Sequence, residues 1–266
     1  MRIGRIAGGH LVADDGSGFR KLPYDIDLPA VMAGRPLDAT EPVEDPDLIA
    51  PLIPGKILGI GLNYLDTIRE MGLPKPTEPF LFAKFPSSVI GPGEPIRIDP
   101  ELTRRVDWET ELAIVIGRRA SRVSPGEALE YVFGYTGAND VSARDLQASD
   151  GQWVRGKSLD TFCPLGPVIV TRDEIPDPQA LRLRTWVNGE KVQDGTTRDM
   201  LFGIVELISY CSAHFTLVPG DVILTGTPHG CGDFMTPPRH LRPGDLVETE
   251  AEGIGRLANP VTAIAT

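Results

Sequence analysis

Two carboxylates placed two residues apart inside an apolar run pose the first chemical question of this chain. The run is Val106 to Gly117, V-D-W-E-T-E-L-A-I-V-I-G, rich in β-branched and apolar residues and stopped by Gly117, so it reads as a buried strand. Side chains alternate between the faces of a strand. Glu109 and Glu111 therefore share one face, and Trp108, Thr110, Leu112, Ile114 and Ile116 take the other. Two anions held side by side out of water repel, and a shared proton, a cationic side chain or a divalent metal ion would offset the repulsion. The alternative is a strand that begins in solvent, with a hydrated pair.

Other polar groups stand near in sequence. The segment D-V-S-A-R-D-L-Q suits a helical turn in which Asp140, Arg144 and Gln147 fall on one face, although a solvated amphipathic helix has the same spacing. Lys157 and Asp160 lie within residues 151–167, read as a loop because Gly and Pro are frequent there, and polar residues on loops carry function more often than those on regular elements. The run T-G-T-P-H-G-C-G, residues 225–232, has glycines that let backbone amides approach a ligand and a hydroxyl on Thr227, a combination suited to a carboxylate. Neither a G-x-G-x-x-G fingerprint nor a phosphate-loop lysine signature is present.

These groups need elements to hold them. Distributed Gly (29) and Pro (25) in 266 residues predict many short strands joined by tight turns. Strands are expected at Gly59–Leu62, Pro79–Lys84, Tyr131–Asn139, Val168–Thr171, Leu181–Val187 and Val222–Leu224, with Asn188-Gly189 as a hairpin turn. Helices are expected over Leu65–Met71, stopped by Gly72, over Ser124–Leu129, and over Arg198–His214, where His214 suits the C-terminal end of the helix dipole. The N-terminal 53 residues, Pro-rich and acidic toward their end, read as a small domain and connector ahead of a main domain spanning 54–266.

A net charge of −11 argues against nucleic acid or an anionic membrane surface as partner. No apolar run approaches the roughly 18 residues of a membrane span, and the N-terminal residues lack the apolar stretch of a signal peptide, so the expected compartment is cytoplasmic. Cys163, Cys211 and Cys231 are odd in number and far apart, which predicts reduced thiols without a disulfide framework.

Several motifs in order give the chain a resemblance from about Pro54 onward. They are G-L-N-Y with Glu70 on the following helix, F-A-K with Ser87-Ser88, D-W-E-T-E-L-A-I-V-I-G, N-D-V-S-A-R-D-L-Q, R-G-K-S-L-D-T-F-C-P-L-G-P and P-G-D-V-I-L-T-G-T-P. Together they resemble the fumarylacetoacetate hydrolase superfamily. The resemblance implies an α+β, mainly β fold, a mixed β-roll with a few peripheral helices and a small N-terminal segment. It implies a divalent cation on Glu109, Glu111 and Asp140, Lys157 and Glu70 as catalytic groups, Arg144, Gln147, Gly226 and Thr227 around the substrate, and a homodimer. Three carboxylates are hard oxygen donors that suit Mg²⁺, or alternatively Mn²⁺ or Ca²⁺.

The implied activity is a metal-stabilised enolate reaction of a small 2-oxo or 1,3-dicarbonyl acid. Carbon–carbon hydrolysis of the acylpyruvate type comes first, and isomerisation, tautomerisation or decarboxylation of an unsaturated 2-oxo (di)acid is the alternative. A non-catalytic protein that binds metal and keto acid is the weaker alternative. One departure favours isomerisation or tautomerisation: the family's hydrolases and decarboxylases typically carry a His on the lid helix, paired with the Glu, where this chain has Thr67. An isomerase needs only an electron sink and a proton carrier. His229 is the one imidazole near these motifs.

Overall fold

The computed structural model describes residues 1–264 and is mainly β, as expected. Its centre is the strand Thr110–Ile116, every residue of which is buried because both faces are covered. Leu112, Ile114 and Ile116 pack with Ile204, Leu207, Ile208 and Cys211 of the helix Ile204–His214. Ala113 and Val115 pack on the other side with Leu165, Ile169 and Leu224. The alternation read from the sequence thus separates two apolar layers.

Around this strand runs an 11-stranded mixed sheet. Nine strands form its path, Arg20–Lys21, Leu11–Asp14, Arg2–Ile6, Cys163–Thr171, Val132–Asn139, Thr110–Ile116, Val222–Leu224, Ile57–Gly61 and Phe80–Lys84, with Leu48–Ile49 paired to Arg2–Ile6 and Val89–Ile90 to Cys163–Thr171 off it. A 5-stranded sheet, ordered Glu190–Thr196, Arg182–Val187, Leu246–Ala251, Gly255–Ala263 and Ile96–Ile98, packs against it. Leu183 and Ala251 join the first apolar layer, while Val187, Val247 and Val261 surround Trp108 in another. The first strand pairs with the main sheet through Arg2 opposite Val170, and Ile3, Leu11, Leu22, Ile26 and Val31 form an apolar cluster of their own.

Strand direction gathers the polar residues at one edge. Val132–Asn139 and Val222–Leu224 both run antiparallel to Thr110–Ile116, so their C-terminal ends meet its N-terminal end. Ile57–Gly61 is parallel to Val222–Leu224 and finishes at the same edge. Beyond it the helix Leu65–Met71 ends at Gly72, whose φ of +63° is the left-handed conformation that glycine adopts without strain.

Four local expectations are corrected. The run from Val106 is not one strand: Val106–Asp107 pairs with Ser142–Ala143, and only Thr110–Ile116 lies in the main sheet. Residues 124–129 form turns that lead into a 3₁₀ segment at Ala128–Tyr131, since Gly126 interrupts the pattern. The long helix starts at Ile204, not Arg198, because Gly203 breaks it and its N–H is capped by Glu206 at 2.8 Å. Residues 151–167 are not simply a loop, for they contain the helical turn Val154–Lys157 and the start of Cys163–Thr171.

That helical turn is pressed against the helix Arg144–Asp150 at Gly156. A Cβ there would sit 2.8 Å from the Ala143 oxygen and 2.8 Å from the Gln147 nitrogen, closer than side-chain carbons approach backbone. Gly156→Val is therefore expected to force the two segments apart and to lower stability by about 1–3 kcal/mol, measured by urea titration.

Candidate active site

The edge where the strands end holds Glu109, Glu111 and Asp140, all buried, each offering an oxygen within 4.8 Å of the others. Register brings them together. Glu111 lies in the central strand opposite Ala138, and Asp140 follows the neighbouring strand, its N–H donating to the Glu109 carbonyl at 2.9 Å. Asn139 fixes the other side by accepting from the Glu109 N–H at 3.0 Å.

Three buried cations meet these anions. Lys157 Nζ donates to Glu109 Oε2 at 2.7 Å and to Asp140 Oδ2 at 2.6 Å. Lys84 Nζ donates to Asp140 Oδ1 at 2.6 Å and to the backbone carbonyl of Lys157, which ties the two lysines into one network. Arg144 donates from Nε to Asp107 at 2.9 Å, and its Nη2 lies 2.6 Å from Glu109 and 2.8 Å from Asp107, at ion-pair distance without an aligned hydrogen bond.

With Asp107 included, four carboxylates face three cations, and among the described residues no side-chain cation touches Glu111. Among the described residues its one side-chain hydrogen bond comes from the Gly226 N–H, at 2.6 Å. Burial, then the charges of Asp140 and Glu109, push the Glu111 carboxyl well above the ordinary range. For Asp140 burial also acts upward, but Lys157 and Lys84 outweigh it and hold the carboxyl low. Burial would lower Lys157, yet Asp140 and Glu109 overcome it and keep the ammonium charged. These neighbours make Lys157 a fixed cation.

The donor set fits a hard divalent cation. It is three carboxylates without His or Cys, and Glu111 among them is paired with no side-chain cation among the described residues. Glu109, Glu111 and Asp140 are the residues that would hold the ion.

A cleft of about 240 Å³ opens beside the triad. Glu109, Arg144, Gln147, Lys157, Gly226 and Thr227 all line it, with Ile60, Leu62, Phe82, Trp153 and Phe234 as apolar wall. Arg144 and Gln147 share a face as expected, with Nη1 to Oε1 at 3.3 Å. Asp140 is not on that helix, which begins at Arg144; it reaches the site from the strand end. The 225–232 loop lines the cleft, but the two donors expected to meet a ligand carboxylate serve protein groups. The Gly226 N–H serves Glu111, and the Thr227 hydroxyl donates to the Thr110 carbonyl at 2.8 Å and accepts from Gln193 at 3.0 Å. Gly226, at φ +91°, permits this because a Cβ would lie 3.0 Å from the Ile60 oxygen.

The lid helix is fastened to the same loop. Thr67, buried, donates its hydroxyl to the Thr227 carbonyl at 2.8 Å. Asp66 Oδ2 pairs with His229 Nδ1 at 2.9 Å. Glu70 accepts the Gly230 N–H at 3.1 and 3.2 Å, and burial raises its carboxyl above the usual range. Glu70 and His229 stand at the rim and are not among the residues lining the cleft.

Lys84, Asp107 and Gln193 escaped the residue-by-residue reading. Asp107 accepts from Arg144, Trp108 and Gly232, and Gln193 accepts from the Thr110 N–H at 3.1 Å. For two of them a signal existed: Lys84 is charged inside the apolar strand F-L-F-A-K, and Asp107 lies two residues before Glu109. Gln193, far away in sequence, carried none.

A family model described as fumarylacetoacetate (FAA) hydrolase C-terminal matches residues 56–262. A Xenopus laevis relative described as a mitochondrial oxaloacetate tautomerase is 50% identical over 217 residues, 80% of this chain and 68% of its own length. A solved fumarylacetoacetate hydrolase from psychrophilic Exiguobacterium antarcticum is 41% identical, with a TM-score of 0.91 and 99% of both chains covered. A solved 5-carboxymethyl-2-hydroxymuconate delta-isomerase from Mycobacterium smegmatis is 39% identical, with a TM-score of 0.84, covering 99% of this chain and 100% of that one. On motif order, fold and this likeness along most of its length, the chain belongs to the fumarylacetoacetate hydrolase family of enzymes.

Proposed function

We propose that this enzyme is a divalent-metal-dependent tautomerase or isomerase of a small 2-oxo acid, and that hydrolysis, placed first from the sequence, is the secondary reading. The observation that carries this is the lid. Thr67 and Glu70 are both tied to the 227–230 loop, and among the described residues no imidazole lines the cleft. Hydrolysis needs a base that activates water, whereas tautomerisation moves a proton between C3 and the 2-oxygen and consumes no water. The relatives described as oxaloacetate tautomerase and hydroxymuconate isomerase support the same choice.

When bound by Glu109, Glu111 and Asp140, the ion supplies Lewis acidity toward the 2-oxo group. The chain's own residues supply the remainder. Lys157 Nζ places a fixed positive charge in the cleft that stabilises the negative charge of an enolate, with Glu109 Oε2, 2.7 Å away, as its hydrogen-bond partner. Arg144 and Gln147 orient the substrate carboxylate, and Phe82, Trp153 and Phe234 keep that side of the cleft apolar.

The test is a panel of oxaloacetate, unsaturated 2-oxo diacids and acylpyruvates incubated with protein and Mg²⁺ and followed by NMR and product mass spectrometry. Enol–keto interconversion without cleavage products is expected; it should vanish with a chelator and return with Mg²⁺ or Mn²⁺. Rapid acylpyruvate cleavage by the unaltered protein would reverse the order of the two readings. Lys157→Met is expected to lower kcat by about 10²–10³-fold. If hydrolysis is limited only by the missing imidazole, Thr67→His should raise acylpyruvate cleavage; we expect no such gain, because the position is buried and Glu70 is engaged with Gly230.

A further inference from the structure

The three cations that line the cleft, Arg105, Arg144 and Lys157, differ in what their donors already hold. Lys157 is taken by Glu109 and Asp140. Arg144 is 7% exposed and turned to Asp107, Glu109 and Gln147, with the Phe234 ring 5.1 Å from its guanidinium carbon. Arg105 is otherwise placed. Its side chain is 47% exposed, Nε and Nη2 donate to Asp233 at 2.7–3.0 Å, and among the described residues Nη1 donates to no protein group.

Asp233 is itself held firmly. Its side chain is 9% exposed, Oδ1 meets His240 Nε2 at 2.8 Å, and its backbone N–H donates to Asp107 Oδ2 at 3.2 Å. The same Asp107 oxygen accepts from Arg144 Nε, so both arginines are referenced to one buried carboxylate. A two-pronged carboxylate grip fixes the plane of a guanidinium and hence the direction of the N–H groups left over. The chain's net charge of −11 repels anions at long range, so a second anionic group on a substrate needs a local, oriented cation to hold it.

We propose that Arg105 reads the second carboxylate of a 2-oxo dicarboxylate substrate through Nη1, with Asp233 as its positioning residue. The assignment rests on the 2-oxo acid reading of the site and adds to it the substrate class and the group that selects it. Monoacids leave this donor hydrated and lose a charge-assisted hydrogen bond, a difference of about 10- to 100-fold in kcat/KM.

The experiment compares oxaloacetate with 2-oxobutanoate, in which a methyl replaces the distal carboxylate, using the metal-loaded full chain and C3 proton exchange in D₂O. Arg105→Met should lower the diacid-to-monoacid ratio of kcat/KM at least tenfold, mainly through KM. Arg105→Lys should recover part of it, and Asp233→Asn should lower the ratio less than Arg105→Met does. A ratio that stays within twofold in Arg105→Met, or diacid and monoacid falling together, overturns the assignment. Should the unaltered protein exchange neither compound, the tautomerase reading fails separately. Calorimetric binding of the same two acids then decides for Arg105: selective weakening of the diacid in Arg105→Met sustains it, and equal affinities in the unaltered protein remove it.

Discussion

Everything at the strand edge answers to one electrostatic problem, the burial of several carboxylates within a few ångströms of one another. A buried anion stripped of water is costly by several kcal/mol unless charge and hydrogen bonds replace the lost hydration. Lys157 bridges Glu109 and Asp140, Lys84 takes the second oxygen of Asp140, and Arg144 joins Glu109 to Asp107. The compensation stops one charge short, at Glu111. An arrangement built only for stability would gain from apolar replacements of similar volume, so an uncompensated buried carboxylate is better understood as a place kept for added positive charge.

Strand direction is the second constraint, because it decides that these groups meet at all. Two strands antiparallel to the central one deliver Asp140 on one side and Gly226 on the other. The lysine comes from a helical turn pressed onto Arg144–Asp150 at a glycine. Charge balance and backbone packing thus support each other: the turn can approach because Gly156 has no side chain, and Lys157 can be buried because the carboxylates await it.

The lid shows how the fold biases the chemistry. Asp66, Thr67 and Glu70 are each bonded to the 227–230 loop, so the helix that in a hydrolase would present a water-activating pair serves here to close the rim. Under the proposed reading, a cleft with a charged lysine and, among the described residues, no lining imidazole suits relocation of protons more than activation of water; tautomerase and isomerase are the activities named for relatives of this chain.

The sequence by itself determined the fold class, the buried apolar strand that ends before Gly117 and the family, since strand alternation and ordered motifs are local properties of the text. It also singled out Glu109, Glu111, Asp140 and Lys157 through the resemblance, and Thr67 as the departure. Local pattern misled where distant packing ruled. Asp140 and Arg144 look like one helical face, but strand pairing of Ser142–Ala143 with Val106–Asp107 separates them, and Lys157 in apparent loop text sits on a helical turn. Only the tertiary structure decided that Lys84 and Asp107 complete the charge network, that Gln193 holds the 227–231 loop, and that Thr67 and Glu70 are bound to that loop. Each of these contacts joins residues far apart along the chain, 37 positions for Arg144 and Asp107, 160 for Thr67 and Thr227, and no local period records such distances.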